Sequence, residues 1–432
     1  MNRIGIRRED KSKWEARAPL VPTDVELLIR EHEIEFLVQP SPIRAFPDAD
    51  YQKAGALSTE DLSDCDIIMG VKEIPLEKFE PNKTYVIFSH TIKGQSTNMP
   101  ALRRLAELRC QLIDYEMIAD EHDRRLVAFG HFAGIAGMVD SLWALGRRLE
   151  HEGIDCAFSR IQPAHQYNDL EHARRELAKV ASDIRRQGLP EAICPFVCGF
   201  AGYGQVSQGA QEIYDLLPGE EIMPEDLAAT GSARNVCYKV VFHEEHMVER
   251  CDVASPFELQ EYYTHPERYR ACFAPFVEHL TILINGIYWD PKYPRMVTRS
   301  HLRDLYSGQS SPRLRVIGDI TCDIDGSLAC TVRATTPDNP VYVFDPGTGR
   351  THDGVDGHGP VVLAVDALPC EVPVDASRQF SLSLSPFLPG LAGADFTADL
   401  LNSGLPPELQ RATIVYDGEL TERFSYLRQH IS

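Results

Sequence analysis

The stretch that most constrains this chain lies near its middle. An apolar run, ICPFVCGF (193–200), feeds directly into AGYGQVSQGA (201–210), and QVSQGAQEIYDLL (205–217) reads as a helix. Strand, glycine turn and helix, in that order, aim backbone N–H groups at a phosphate. Gly202 and Gly204 are the first two glycines of a GxGxxG pattern, and Ser207 holds the third place. The first glycine permits a tight turn; the second lets a pyrophosphate approach the backbone; a serine can still pack at the third. The context points to a nucleotide site. It also raises a problem, because such a turn normally sits close to the N-terminus and here 201 residues precede Gly202.

Those residues carry their own α/β pattern. Arg3 to Ile6, EFLVQ (35–39), DIIMGV (66–71), KTYVIFSH (83–90) and CQLIDYE (110–116) read as strands. Thr23 to Glu26 has the capping-box pattern and starts a helix to about Glu31; MPALRRLAEL (99–108) is a second helix. Strands separated by helices predict parallel βαβ units, whose ligands gather at the carboxyl ends of the strands. Lys72 follows MGV, His90 ends YVIFSH and Glu116 ends QLIDYE. Three titratable groups suited to proton transfer therefore fall at one edge of three successive strands.

Beyond Arg125, the small residues Ala133, Gly134, Ala136 and Gly137 let a helix over 134–150 pack closely on a neighbour. HARRELAKVASDIRRQG (172–188) is another helix, stopped by Gly188. LTILINGIYW (280–289), RLRVIGDITCDIDGS (313–327), PVYVFDP (340–346) and VVLAVDAL (361–368) read as strands, and 376–385 as a helix. An acidic residue about twenty positions after the glycine turn favours NAD over NADP. Glu220, Glu221 and Glu225 lie near that distance, and the spacing alone does not choose among them. His243-Glu-Glu-His246 lacks the HExxH spacing and reads as a solvated charged stretch. Asp319, Asp323 and Asp325 beside Gly326 do not have calcium-loop spacing. No metal is expected.

Composition narrows the partners. A formal net charge of −21 disfavours nucleic acid and anionic membrane, although a local arginine cluster can still receive an anionic substrate. No apolar run reaches the ~20 residues of a membrane span. Eleven scattered cysteines without a CxxC pair, and a charged opening MNRIGIRREDKSKW, predict a reducing cytoplasm.

A set of ordered motifs then joins these readings. RREDKSKWEARAPLVP (7–22), GVKEIP (70–75), FSHTIKGQ (88–95), IDYE (113–116), RRLVAFGHFAGIAGM (124–138), QGLPEAICPFV (187–197), GQVSQGAQEI (204–213), LINGIYW (283–289) and GDITCDIDGS (318–327) succeed one another. Together they resemble the lysine–2-oxoglutarate reductase portion of aminoadipic semialdehyde synthases. More distantly, the chain is similar to fungal saccharopine dehydrogenase, alanine dehydrogenase and the nucleotide-binding part of proton-pumping transhydrogenase.

The resemblance implies an α/β fold with two Rossmann-like, doubly wound parallel-sheet domains flanking a cleft, the nucleotide domain inserted in the substrate domain. The expected division is 1–135 plus 330–432 for the substrate domain and 136–329 for the dinucleotide domain. The implied reaction is reductive condensation of an amino-acid amine, lysine, with a 2-oxoacid, 2-oxoglutarate. The implied cofactor is NADPH, with NADH as the alternative, and a homo-oligomer is compatible with it. Lys72 and His90 match the acid–base pair and Glu116 the carboxylate that tunes them. Glu15, Arg17 and Arg125 match substrate-binding positions. Gly202, Tyr203, Gly204 and Gln205 match the pyrophosphate loop, and Asp323 an aspartate on the nicotinamide side. The chain departs from that family at Ala201, Tyr203 and Gln205, where Thr, Thr and Asn are usual. It ends where the partner half of the synthase would begin, which implies a stand-alone protein. The alternatives are an alanine-dehydrogenase-like enzyme using ammonia and a catalytically inactive nucleotide-binding regulator.

Overall fold

Short runs of β-branched and aliphatic residues that are buried on both faces are what a parallel sheet covered by helices demands. In the computed structural model, which describes residues 1–252, 255–308 and 312–431, these runs form the strands of two sheets. From the amino end come β1 (Ile4–Ile6), β2 (Phe36–Val38), β3 (Leu57–Ser58), β4 (Ile67–Met69), β5 (Thr84–Ile87) and β6 (Gln111–Asp114). The middle of the chain supplies β7 (Phe196–Ala201), β8 (Gly219–Glu221), β9 (Cys237–Phe242), β10 (Val248–Arg250), β11 (Tyr269–Ala271), β12 (Ile282–Asn285) and β13 (Val316–Asp319). It continues with β14 (Val341–Phe344), β15 (Thr351–Asp353) and β16 (Val361–Leu363); β17 (Thr413–Tyr416) and β18 (Glu419–Leu420) come last.

The chain divides into two units, Met1–Phe129 with Pro373–Ser432, and Gly130–Val372. The first holds the sheet β18-β17-β6-β5-β4-β1-β2-β3. β1 to β6 run parallel, and β17 and β18 add antiparallel at the β6 edge. The second holds β15-β14-β16-β13-β12-β7-β9-β8, parallel from β8 to β16, with β14 and β15 antiparallel beyond; β10 and β11 form a separate ribbon. In each sheet the strand order reverses beside the first strand, between β1 and β4 and between β7 and β12. Ligands of doubly wound sheets bind at such switch points.

The return to the first unit comes at Pro373, not at residue 330 as the sequence division has it. The apolar strands 341–344 and 361–363 belong to the second sheet: Val361 pairs in parallel with Val316, and Val341 pairs antiparallel with Leu363. β14 and β16 are buried throughout and need sheet neighbours, which the open flank of β13 provides. At the first crossing the helix begins at Gly130 and runs to His151. It packs backbone to backbone on the helix Gln205–Tyr214. A Cβ on Gly134 would lie 1.9 Å from the Val206 carbonyl oxygen, and one on Gly209 would lie 1.9 Å from that of His131. The capping box expected at Thr23 is absent, because Pro22 takes the first helical turn and Val21 is the cap.

Candidate functional site

At the carboxyl edge of the first unit's sheet, the loops after β1, β4, β5 and β6 are tied together by buried carboxylates. Glu9, in the loop after β1, accepts the backbone N–H groups of Val71 (2.7 Å) and Lys72 (3.1 Å) across the switch point. Burial pushes its carboxyl up to about 7, against the pull of Arg7. Lys72 is positioned through that backbone bond. Its neighbour Glu73 accepts from His90 Nδ1 at 2.7 Å and from Lys11 Nζ at 2.7 Å. Burial opposes ionisation of Glu73, but the bonds from His90 and Lys11 outweigh it and hold the carboxyl down at about 2. An ionised acceptor fixes the proton of a neutral His90 on Nδ1 and leaves Nε2 as the base.

His90 sits at φ 51°, a left-handed conformation that costs a non-glycine residue ~1 kcal/mol or more. Asn98 Nδ2 holds it there by donating to its carbonyl at 2.9 Å. Asp114, at the end of β6 and fully buried, accepts from Ser89 N (3.0 Å) and the Ser89 hydroxyl through one oxygen. Its other oxygen accepts from Glu116 N at 2.8 Å. One side chain therefore sets the loops that carry His90 and Glu116.

Glu116 faces Arg125, whose guanidinium lies 4.0 Å from its carboxylate and is 44% exposed. Arg17 is different. Its Nε and Nη2 hold Glu15 at 2.7 and 2.6 Å, and the guanidinium lies 4.2 Å from the Phe129 ring centroid. The structure thus brings Lys72, His90 and Glu116 to one edge and pairs Glu15 with Arg17. Glu9, Glu73 and Asp114 were not legible in the sequence, because their roles arise from hydrogen bonds between loops far apart in the chain. GVKEIP does contain Glu73, directly after Lys72.

In the second unit, β7 runs into the glycine turn and the helix Gln205–Tyr214. Gly202 has φ +90° and a Cβ there would lie 2.8 Å from Ile287. Gly204 is ordinary in conformation (φ −74°, ψ −173°), and a Cβ on it would meet nothing within 4 Å. It caps the helix with no side-chain bond, so the first N–H groups remain for an anion. These residues fit the pyrophosphate of a dinucleotide. Tyr203 stacks on His243 with centroids 4.4 Å apart, and Gln208 Nε2 donates to its carbonyl at 3.1 Å. Gln205 Nε2 donates to Gln208 at 3.3 Å. Ser207 is buried and accepts from Gln211 Nε2 at 3.0 Å.

Asp323 lies in the turn after β13, where its carbonyl accepts Gly326 N at 2.8 Å. Buried Asp319 anchors that turn by accepting from Asn285 (2.8 Å), Thr321 (3.0 Å) and Thr331. The acidic residues expected after the glycine turn lie elsewhere. Glu220 and Glu221 are on the exposed edge strand β8, and Glu225 is in a 3-10 turn. The strand beside β7 is β9, which ends at Phe242 and leads directly into His243-Glu244. The HEEH stretch follows that strand: His243 caps the short helix Glu244–Met247, His243 and Glu245 are exposed, and Glu244 and His246 are half-buried.

One doubly wound sheet with loop carboxylates at its switch point and a second such sheet bearing a glycine turn make up the fold of an alanine dehydrogenase: one solved L-alanine dehydrogenase superposes over 100% of both chains at a TM-score of 0.64 and 18% identity. Residues 5–136 match the family model described as alanine dehydrogenase/PNT, N-terminal domain. Nearly the whole chain is homologous to the alpha-aminoadipic semialdehyde synthase of Arabidopsis thaliana, 38% identical over 98% of this chain and 41% of that protein. The chain thus spans less than half the length of that relative. It is also 27% identical to the saccharopine dehydrogenase [NAD(+), L-lysine-forming] of Neurospora crassa, over 88% of this chain and 89% of the relative.

Proposed function

We propose that this chain is an oxidoreductase that condenses the ε-amine of lysine with the ketone of 2-oxoglutarate and reduces the resulting imine to saccharopine with a reduced nicotinamide dinucleotide. The observation that carries the reading is the Glu73–His90 pair beside Lys72 and Glu116 at the carboxyl edge of a switch-point sheet, together with homology to a semialdehyde synthase over nearly the whole chain. Imine formation passes through a carbinolamine: the amine must lose a proton and the departing hydroxyl must gain one, leaving as water. His90, oriented by Glu73 with Nε2 as base, takes the first proton and returns it to the hydroxyl. Lys72 is the second proton-transfer group, and Glu116 sets the charge around the pair. Arg125, with its guanidinium toward solvent, receives a substrate carboxylate. Glu15 and Arg17 act as one ion pair in the wall of the substrate site. Gly202, Tyr203, Gly204 and Gln205 hold the pyrophosphate, with Asp323 on the nicotinamide side. When bound, the dinucleotide supplies the hydride that the imine carbon accepts.

The test is a matrix of amines and 2-oxoacids assayed by loss of reduced-nicotinamide absorbance. Turnover with lysine and 2-oxoglutarate above all other pairs is expected. Preference for ammonia with pyruvate would turn the assignment to an alanine-dehydrogenase-like reaction, and oxidation with no pair would refute catalysis.

A further inference from the structure

The carboxyl end of β9 is where a dinucleotide fold tells NAD from NADP, because the group placed there meets the ribose of the adenosine half. In this chain that group is Glu244. It opens the short helix Glu244–Met247 capped by His243, and lies two residues past the end of β9. Two phenols hold its carboxylate: Tyr263 Oη donates at 2.6 Å, and Tyr203 Oη, from the glycine turn itself, lies 3.3 Å away. Both phenols are pushed to higher pKa, first by burial and then by Glu244, so they remain donors at physiological pH. Glu244 is thereby tied to the pyrophosphate loop and cannot swing away without breaking two hydrogen bonds.

The cavity beside it measures about 380 Å³ and is walled by Gly202, Gly204, Tyr203, Tyr263, Tyr288 and Ile287 among others. Among the described residues lining it, Glu244 is the one charged side chain. Arg250 and Arg268, on the neighbouring ribbon and turn, are both bound to Glu261. Lys292 lies over the Tyr293 ring, 4.9 Å from its centroid, and does not line the cavity. His243 is stacked against Tyr203. A ribose 2′-hydroxyl finds an anchored acceptor here. Among the described residues lining the cavity, a 2′-phosphate finds a carboxylate and no cation.

We propose that Glu244, anchored by Tyr203 and Tyr263, is the specificity-determining residue that makes this site select the unphosphorylated dinucleotide, NAD(H), over NADP(H). The inference rests on the dinucleotide reading of the glycine turn given above and assigns the adenosine half of the same site.

The experiment is a binding titration of the full chain with NADH and with NADPH, by nicotinamide fluorescence and without substrates. NADH is expected to bind about 10- to 100-fold more tightly than NADPH, the range set by one charge-assisted bond exchanged for a like-charge contact. In Glu244→Gln the ratio falls below about threefold, mostly through tighter NADPH. In Tyr263→Phe, which keeps the ring and its packing, the ratio narrows in the same direction. Equal or tighter binding of NADPH by the unaltered chain overturns the assignment while leaving the dinucleotide site intact. An unchanged ratio in Glu244→Gln moves the selecting group elsewhere and overturns it also. Failure of both dinucleotides to bind refutes the reading of the turn itself.

Discussion

Replacing Gly204 with alanine separates what the fold needs from what a ligand needs. The backbone there is extended and open to any L-residue, and the added methyl meets no protein atom within 4 Å. Loss of unfolded-state freedom contributes ~0.4–1 kcal/mol toward stability, and exchanging glycine for alanine at a helix N-cap costs a similar amount. The melting temperature should stay within about 2 °C of the parent. The methyl does occupy the space left for a pyrophosphate. Losing one charge-assisted hydrogen bond costs ~1.5–3 kcal/mol, which weakens dinucleotide affinity about 10- to 100-fold. Gly209→Ala is the control, since its Cβ would lie 1.9 Å from the His131 carbonyl oxygen. The two helices must part, costing ~1–3 kcal/mol or more and several degrees of melting temperature. Differential scanning fluorimetry and fluorescence titration on both variants complete the test. If Gly204→Ala keeps parental affinity, or melts as early as Gly209→Ala, the turn does not cradle a pyrophosphate.

His90→Ala should lower turnover by ~10²-fold while leaving NADH affinity unchanged; equal loss of both makes His90 a structural residue. Because the folded Glu73 carboxyl is held at about 2, below its ordinary 4.5, its contribution is present above about pH 4.5 and is lost as pH falls toward 2. Glu73→Gln should flatten that acid limb of a stability–pH curve by ~1–3 kcal/mol and shift the pH profile of turnover; a curve superposable on the parent's refutes the pairing. Glu371 and Asp140 act in the opposite sense. Both are buried against each other; burial pushes Glu371 up to about 7, and burial with the neighbouring Glu371 carboxyl holds Asp140 well above its ordinary value. The stabilising contribution of Glu371 is therefore complete below about pH 4.5 and fades as pH rises to about 7, so Glu371→Gln should gain on the parent across that window, read as the difference in melting temperature.

Much of the edge chemistry was legible because parallel strands buried on both faces announce themselves as apolar runs, and the first polar residues after them must lie at the carboxyl edge. That reasoning placed Lys72, His90 and Glu116. It failed where the chain broke the expected rhythm. Between the helix ending at Tyr214 and β9 lie an exposed two-faced strand and a 3-10 turn in place of a second helix, so counting twenty residues from the turn reached Glu220 and Glu225 and stopped short of Glu244. An apolar strand also carries no label for the sheet it joins, which is why 341–344 and 361–363 read as belonging with the C-terminal tail. Glu9, Glu73 and Asp114 were invisible for a related reason: a carboxylate becomes a fastener only when two other loops bring it their N–H or ring donors.

The last strands of the chain complete a sheet begun at its first residues. Until Thr413–Tyr416 is made, β6 has β5 on one side and no neighbour on the other, so a ribosome must release nearly every residue before Leu112 and Ile113 gain their second backbone partner. A nascent or truncated chain ending at Val372 would offer that bare, greasy margin to any other strand nearby, and its hazard is clumping rather than lost chemistry.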